Sequence, residues 1–161
     1  MRNLLGPDER YGKITDINLG ELWEKGIRGL ILDLDNTIVP WGEDTPKEEV
    51  IEFVERAKEK GYKLALISNA QPHRVEKCGK ILGISGIGYA KKPLPFSLKK
   101  AQKNLLGLPP SQVAIIGDQI FTDILGGNLL GFYTVLVEPI TKRDFIGTKL
   151  FRLLEQVLRL R

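Results

Sequence analysis

The chain has one cysteine and one histidine among its 161 residues. Cys78 alone forms no internal disulfide, and no cysteine/histidine cluster offers a zinc site. No apolar run approaches the roughly 20 residues needed to cross a bilayer. Residues 1–12 carry no signal-peptide-like apolar stretch, so a cytoplasmic protein is expected. Internal repeats, low-complexity linkers and composition breaks are also lacking. The whole of 1–161 therefore reads as one domain, long enough to bury a core.

What is present belongs to an ordinary soluble globular chain, with 42% hydrophobic and 27% charged residues. The net charge of +4 is unevenly distributed. From Lys142 onward there are six bases and two acids, so this short segment holds all of the excess. Residues 143–161 read as a basic amphipathic helix. Within it Ile146, Leu150, Leu153, Leu154, Val157 and Leu158 recur at helical spacing and form one apolar stripe. Two uses of that stripe stay open: packing on the sheet, or peripheral contact with anionic lipid. Interleaved aromatics are too few in this segment for a nucleic-acid surface, so no nucleic-acid partner is expected.

Strand and helix patterns alternate along the rest. Residues 29–33, 63–67, 113–116 and 133–137 are short apolar runs typical of strands covered on both faces. Residues 86–90 form a weaker, glycine-rich strand. Helices are expected over about 46–60, with Asp44 or Thr45 as cap, and over 72–82, 96–106, 122–130 and 145–160. Such alternation predicts an α/β fold, a mainly parallel sheet with helices on both faces.

Polar residues that are out of place on buried strands all fall at strand carboxyl ends. They are Asp33 and Asp35, Ser68 and Asn69, and Asp118, with Lys92 and Asp123 close behind in their loops. Ligands of open α/β sheets bind outside those ends. One aspartate there is usually a turn or cap residue. Four acids, a hydroxyl and a lysine converging on one edge would repel one another without a cation or phosphate chemistry to serve. An all-oxygen donor set suits Mg²⁺. An aspartate can attack phosphorus, and a second acid two residues later can carry the proton.

The segments Asp33-Leu34-Asp35-Asn36-Thr37, Ser68-Asn69, Lys92-Pro93 and Gly117-Asp118-Gln119-Ile120-Phe121-Thr122-Asp123 resemble the four ordered motifs of the haloacid dehalogenase (HAD) superfamily. The resemblance covers roughly residues 29–137. It implies a HAD-like, Rossmann-like three-layer sandwich. It makes Asp33 the nucleophile and a Mg²⁺ ligand, and Asp35 the general acid/base with its backbone carbonyl on the metal. Asp118 and Asp123 complete the metal site. Lys92, preferred to Lys91 because the motif lysine precedes proline, stabilises charge on Asp33 and the phosphate. Thr37 steadies the first loop and, with Ser68 and Asn69, belongs to the substrate side; apart from the resemblance, Arg74 at the start of the helix after Ser68-Asn69 is placed to reach substrate. The segment Ser68-Asn69-Ala70 departs from the pattern, where a second asparagine often follows.

The gaps after Thr37 and between Asn69 and Lys92 are too short for an inserted cap domain, so an open site is expected. In detail the motifs are similar to a capless group, subfamily IIIA, whose YqeG-type branch is related to phosphatidylglycerophosphate phosphatases. The resemblance thus implies a Mg²⁺-dependent phosphomonoester hydrolase that converts phosphatidylglycerophosphate to phosphatidylglycerol, and with that substrate a peripheral place at the inner face of a membrane. A soluble phosphatase for a sugar phosphate, nucleotide or phosphoprotein is the alternative. A receiver-like signalling domain would share the aspartate, Mg²⁺ and lysine, but it lacks an acid at the position of Asp35.

Overall fold

The two central strands of this protein are apolar and buried throughout because helices cover the sheet on both sides. The computed structural model describes residues 3–143 and 146–157. Its elements are β1 (Glu9–Tyr11), α1 (Leu19–Glu24), β2 (Gly29–Leu32), α2 (Glu48–Lys60), β3 (Lys63–Ile67), α3 (Pro72–Leu82), β4 (Ser85–Ile87), α4 (Pro95–Lys100), β5 (Val113–Gly117), α5 (Leu125–Leu130), β6 (Tyr133–Val137) and α6 (Ile146–Val157). A π-helical turn, Ala101–Leu106, follows α4, and another, Ile120–Ile124, precedes α5.

The six strands form one parallel sheet in the order β1-β6-β5-β2-β3-β4. Side chains alternate across it. Leu30 and Leu32 of β2, with Ala114 and Ile116 of β5, face a core that includes Leu22, Phe53, Val54 and Val75 from α1, α2 and α3. Ile31, Val113 and Ile115 face the opposite core, with Leu98, Ala101, Leu106 and Phe132. Helix α2 ends at Gly61 (φ 104°), whose left-handed conformation turns the chain into β3. Cys78 of α3 is fully buried, and burial pushes its thiol up to about 12.

Several expected boundaries shift. The cap of α2 is Lys47, with no side-chain cap bond, because Asp44 instead accepts from Lys77 Nζ at 2.9 Å. The glycine-rich strand ends at Ile87, where pairing with β3 stops. The last helix is described to Val157, and Leu158 lies outside the described residues. Of the apolar stripe expected there, Leu150, Leu153 and Leu154 are exposed, whereas Glu155 is fully buried.

Strand order explains where the site lies. From β2 the chain steps to β3 and β4 on one side, then returns to β5 on the other side of β2. The carboxyl ends of β2 and β5 therefore flank the switch point of the sheet, where a crevice opens.

Candidate active site

Asp33 leaves the end of β2 with its backbone N–H donated to Ile116 O of β5 at 3.0 Å, so the crevice starts from fixed sheet geometry. The next residues curl tightly. The amides of Thr37, Ile38 and Val39 all point at Leu34 O, at 3.3, 3.0 and 3.2 Å. Asn36 takes a left-handed conformation (φ 58°), which asparagine tolerates better than most residues. Its side chain ties two loops together. Asn36 Oδ1 accepts from Thr141 N at 3.0 Å and Thr141 Oγ1 at 2.8 Å, and Nδ2 donates to Arg143 O at 2.7 Å. Sequence reasoning passed over Asn36, although an asparagine at a tight turn is itself a signal.

Asp33, Asp118 and Asp123 come together as a buried trio, each offering a carboxylate oxygen within 4.8 Å of the others. Lys92 is the cation among them. Its Nζ donates to Asp33 Oδ1 at 2.7 Å and also to Asp123 Oδ1. One lysine faces three carboxyl groups in a buried place, an excess of acid that a divalent cation would balance once they ionise. The all-oxygen donor set fits Mg²⁺ or a similar hard ion. Burial raises the Asp33 carboxyl well above its ordinary range; Lys92 opposes this, and repulsion from Asp123 and Asp118 adds to it. Burial works against the charged Lys92, but Asp123 and Asp33 together hold it protonated beyond the usual lysine range.

The surrounding contacts explain how the trio is held. Gly117 lets Asp123 come close: a Cβ there would sit 2.2 Å from Asp123 Cγ. Asp123 Oδ2 accepts from Gln119 N at 3.2 Å, and the π turn carries Asp123 back over the strand end. Thr37 Oγ1 donates to Asp118 Oδ1 at 3.4 Å. Asn69 Oδ1 accepts from Lys92 N at 2.8 Å, so Asn69 positions the lysine backbone. Ser68 is buried and its Oγ accepts from Ala70 N at 3.1 Å, leaving the hydroxyl proton for an anion.

Asp35 stands apart from the trio. Arg74 from the first turn of α3 grips it with two bonds, Nη2 to Oδ1 at 2.6 Å and Nη1 to Oδ2 at 3.1 Å. Arg74 also donates to Glu43 O, and Gly42 N donates to Asp35 Oδ1 at 3.1 Å. The pair thus staples the loop after β2 to α3. Asp35 strengthens the protonation of Arg74, and the Arg74 Nε is buried without a partner. Glu155, another residue absent from the sequence expectations, reaches in from α6 and accepts from Ile120 N at 2.9 Å.

Chemically, a carboxylate backed by a lysine, a cation-balancing acid pair and a free hydroxyl can accept a tetrahedral anion and transfer it. The comparisons agree with that geometry. A family profile described as haloacid dehalogenase-like hydrolase matches residues 24–131. The chain is 37% identical, over 93% of its length and 87% of the relative's, to a protein of Bacillus subtilis named "Probable phosphatase YqeG". It is 30% identical to "Phosphatidylglycerophosphate phosphatase 1, chloroplastic/mitochondrial" of Arabidopsis thaliana, over 76% of this chain but only 38% of that one. The cobalt-bound deoxy-D-mannose-octulosonate 8-phosphate phosphatase from Haemophilus influenzae superposes with a TM-score of 0.55 at 15% identity, over 84% of this chain and 90% of that one, a likeness of fold. With a matching profile over most of the sheet, a similar relative over nearly its whole length and the aspartate trio at the switch point, this chain belongs to the haloacid dehalogenase-like hydrolases.

Proposed function

We propose that this HAD-type phosphatase is a Mg²⁺-dependent phosphomonoesterase that removes the terminal phosphate of phosphatidylglycerophosphate. The observation that carries the phosphatase reading is the buried Asp33 carboxylate, bonded to Lys92 at 2.7 Å and flanked by Asp118 and Asp123.

In this reading Asp33 is the nucleophile. Its free oxygen attacks phosphorus as the ester P–O bond breaks, and the bonding pair leaves with the alcohol oxygen. Lys92 and the Ser68 hydroxyl hold the phosphoryl oxygens. Asp35 gives a proton to the leaving oxygen, then takes one from the water that opens the aspartyl-phosphate, so Asp33 is restored and inorganic phosphate leaves. For this, Asp35 must turn away from Arg74, and Arg74 is then released towards the substrate. Asp33, Asp118 and Asp123, with the Asp35 carbonyl, would hold Mg²⁺, which would offset the charge between nucleophile and phosphate. Thr37 and Asn69 act by positioning Asp118 and Lys92.

The lipid substrate is supported by the similarity to the plant phosphatase and by the short connections around the site, which suit a phosphate presented on a large body. The test is phosphate release by purified protein with Mg²⁺, from phosphatidylglycerophosphate in mixed micelles and from a set of soluble sugar phosphates and nucleotides. Release from the lipid, abolished by chelator and by Asp33→Asn, is expected. Release from soluble esters with none from the lipid would reject the substrate, and Mg²⁺-dependent turnover by a clean Asp33→Asn preparation would reject the mechanism.

A further inference from the structure

Among the described residues, most of the large apolar side chains that are more than half exposed gather around the mouth of the site, Leu129 at the far end of α5 being the exception. Phe96, Tyr89 and Leu94 are 79%, 59% and 52% exposed, and all three stand between β4 and the first turn of α4. Lys92, in the same stretch, reaches inward to Asp33. Trp41, on the loop after β2, is also exposed. Helix α6 adds Leu150 and Leu153, exposed at 58% and 56%. Glu155 holds that helix to the same edge through the Ile120 amide, which follows β5. Because every strand pair is parallel, these loops all leave the sheet in one direction.

Single exposed apolar residues are normal on a protein surface. Aromatic and leucine side chains protruding from separate loops around one opening are a different pattern, and so is the charge beside them. Lys91, Lys142, Arg143 and Lys149 are exposed on the same loops and on α6. Among the described residues the acids there are Glu43, Glu138 and Glu48, with Asp44 occupied by Lys77, Glu49 by Lys13 and Asp35 by Arg74. Protruding apolar groups with a surplus of bases match the boundary of an anionic bilayer, where rings and leucines enter the acyl edge and lysines meet the headgroups.

We propose that the carboxyl edge of the sheet docks face-on to an anionic phospholipid surface, with Phe96, Leu94 and the exposed leucines of α6 entering it and Asp33 facing the membrane. This rests on the lipid-phosphatase reading and adds to it an orientation. A lipid phosphate reaches Asp33 without leaving the bilayer, and the membrane itself excludes water from the uncapped site.

The experiment is cosedimentation with vesicles of phosphatidylcholine containing 30% phosphatidylglycerol, and with phosphatidylcholine alone. The wild type is expected to bind the anionic vesicles at least tenfold more tightly than the neutral ones. The double variant Phe96→Ser/Leu94→Ser should lose about tenfold in vesicle affinity, while turnover of soluble p-nitrophenyl phosphate stays within twofold of wild type. Phe96→Trp should keep the affinity. Failure of the wild type to bind, or undiminished binding by the double variant, overturns the proposal. So does a wild-type dimer in solution that the double variant dissociates, which would make this face a protein interface. Vesicle binding without lipid hydrolysis would reject the substrate and leave the surface standing. Hydrolysis in micelles without vesicle binding would do the reverse.

Discussion

A methyl group at Gly117 would collide with the Asp123 carboxylate at 2.2 Å. Gly117→Ala should therefore displace Asp123 from Lys92 rather than unfold the strand. We expect phosphate release to fall about a hundredfold, and stability by about 1–3 kcal/mol, the usual cost of overpacking, read by turnover and thermal melting. Asp33 carries a pH-dependent prediction. Without metal, burial and the neighbouring acids raise its folded value above the unfolded one of about 4. The native state then holds that proton where the unfolded chain has lost it. The stabilising contribution is full below about pH 4 and is lost as pH rises towards the folded value. In chelator at neutral pH, Asp33→Asn should accordingly melt a few degrees higher than wild type, about 2–4 °C per kcal/mol for a chain of this size. Both residues stand inside motifs legible in the sequence, whereas the Arg74–Asp35 grip was not. It depends on where α3 begins relative to the loop after β2, which only the packed chain decides.

At the scale of elements, the buried strands were readable because burial on both faces demands continuous apolar runs. β1 was not, since Glu9-Arg10-Tyr11 has no such run and is a strand only through its pairing with β6. α1 escaped notice as a helix of six residues, capped by Asn18, whose side chain accepts from Gly20 N at 3.0 Å and Glu21 N at 3.1 Å. α6 was recognised as a helix, with sheet packing and lipid contact both left open for its apolar stripe, of which Leu150, Leu153 and Leu154 are exposed. The sequence pattern did not show that Glu155 accepts from the Ile120 amide, which opens the turn bearing Asp123. Glu155→Ala strands a buried amide and should cost about 1–3 kcal/mol. Glu155→Gln keeps an acceptor and should recover most of the loss in both melting temperature and kcat. Equal damage from the two variants would assign the effect to charge instead.

At the scale of the whole molecule, a parallel sheet brings the carboxyl end of every strand to one edge, so chemistry and exposed apolar residues share a side. The metal couples that edge to global stability. If Mg²⁺ binds the native trio alone, an excess of about 100 times its Kd adds about 2.7 kcal/mol, or about 5–10 °C in melting temperature. Scanning calorimetry with and without Mg²⁺ measures it, and a Gly117→Ala protein should gain far less. The buried Cys78 has its own consequence for such work. Its thiol stays neutral up to about pH 12 and out of contact with reagents. A maleimide dye should leave the folded protein unlabelled and react once it is denatured. A single cysteine engineered on the far end of the molecule, at the turn around Gly61, would then be the one reactive handle, tethering every copy to a solid support in the same direction with its working edge outward.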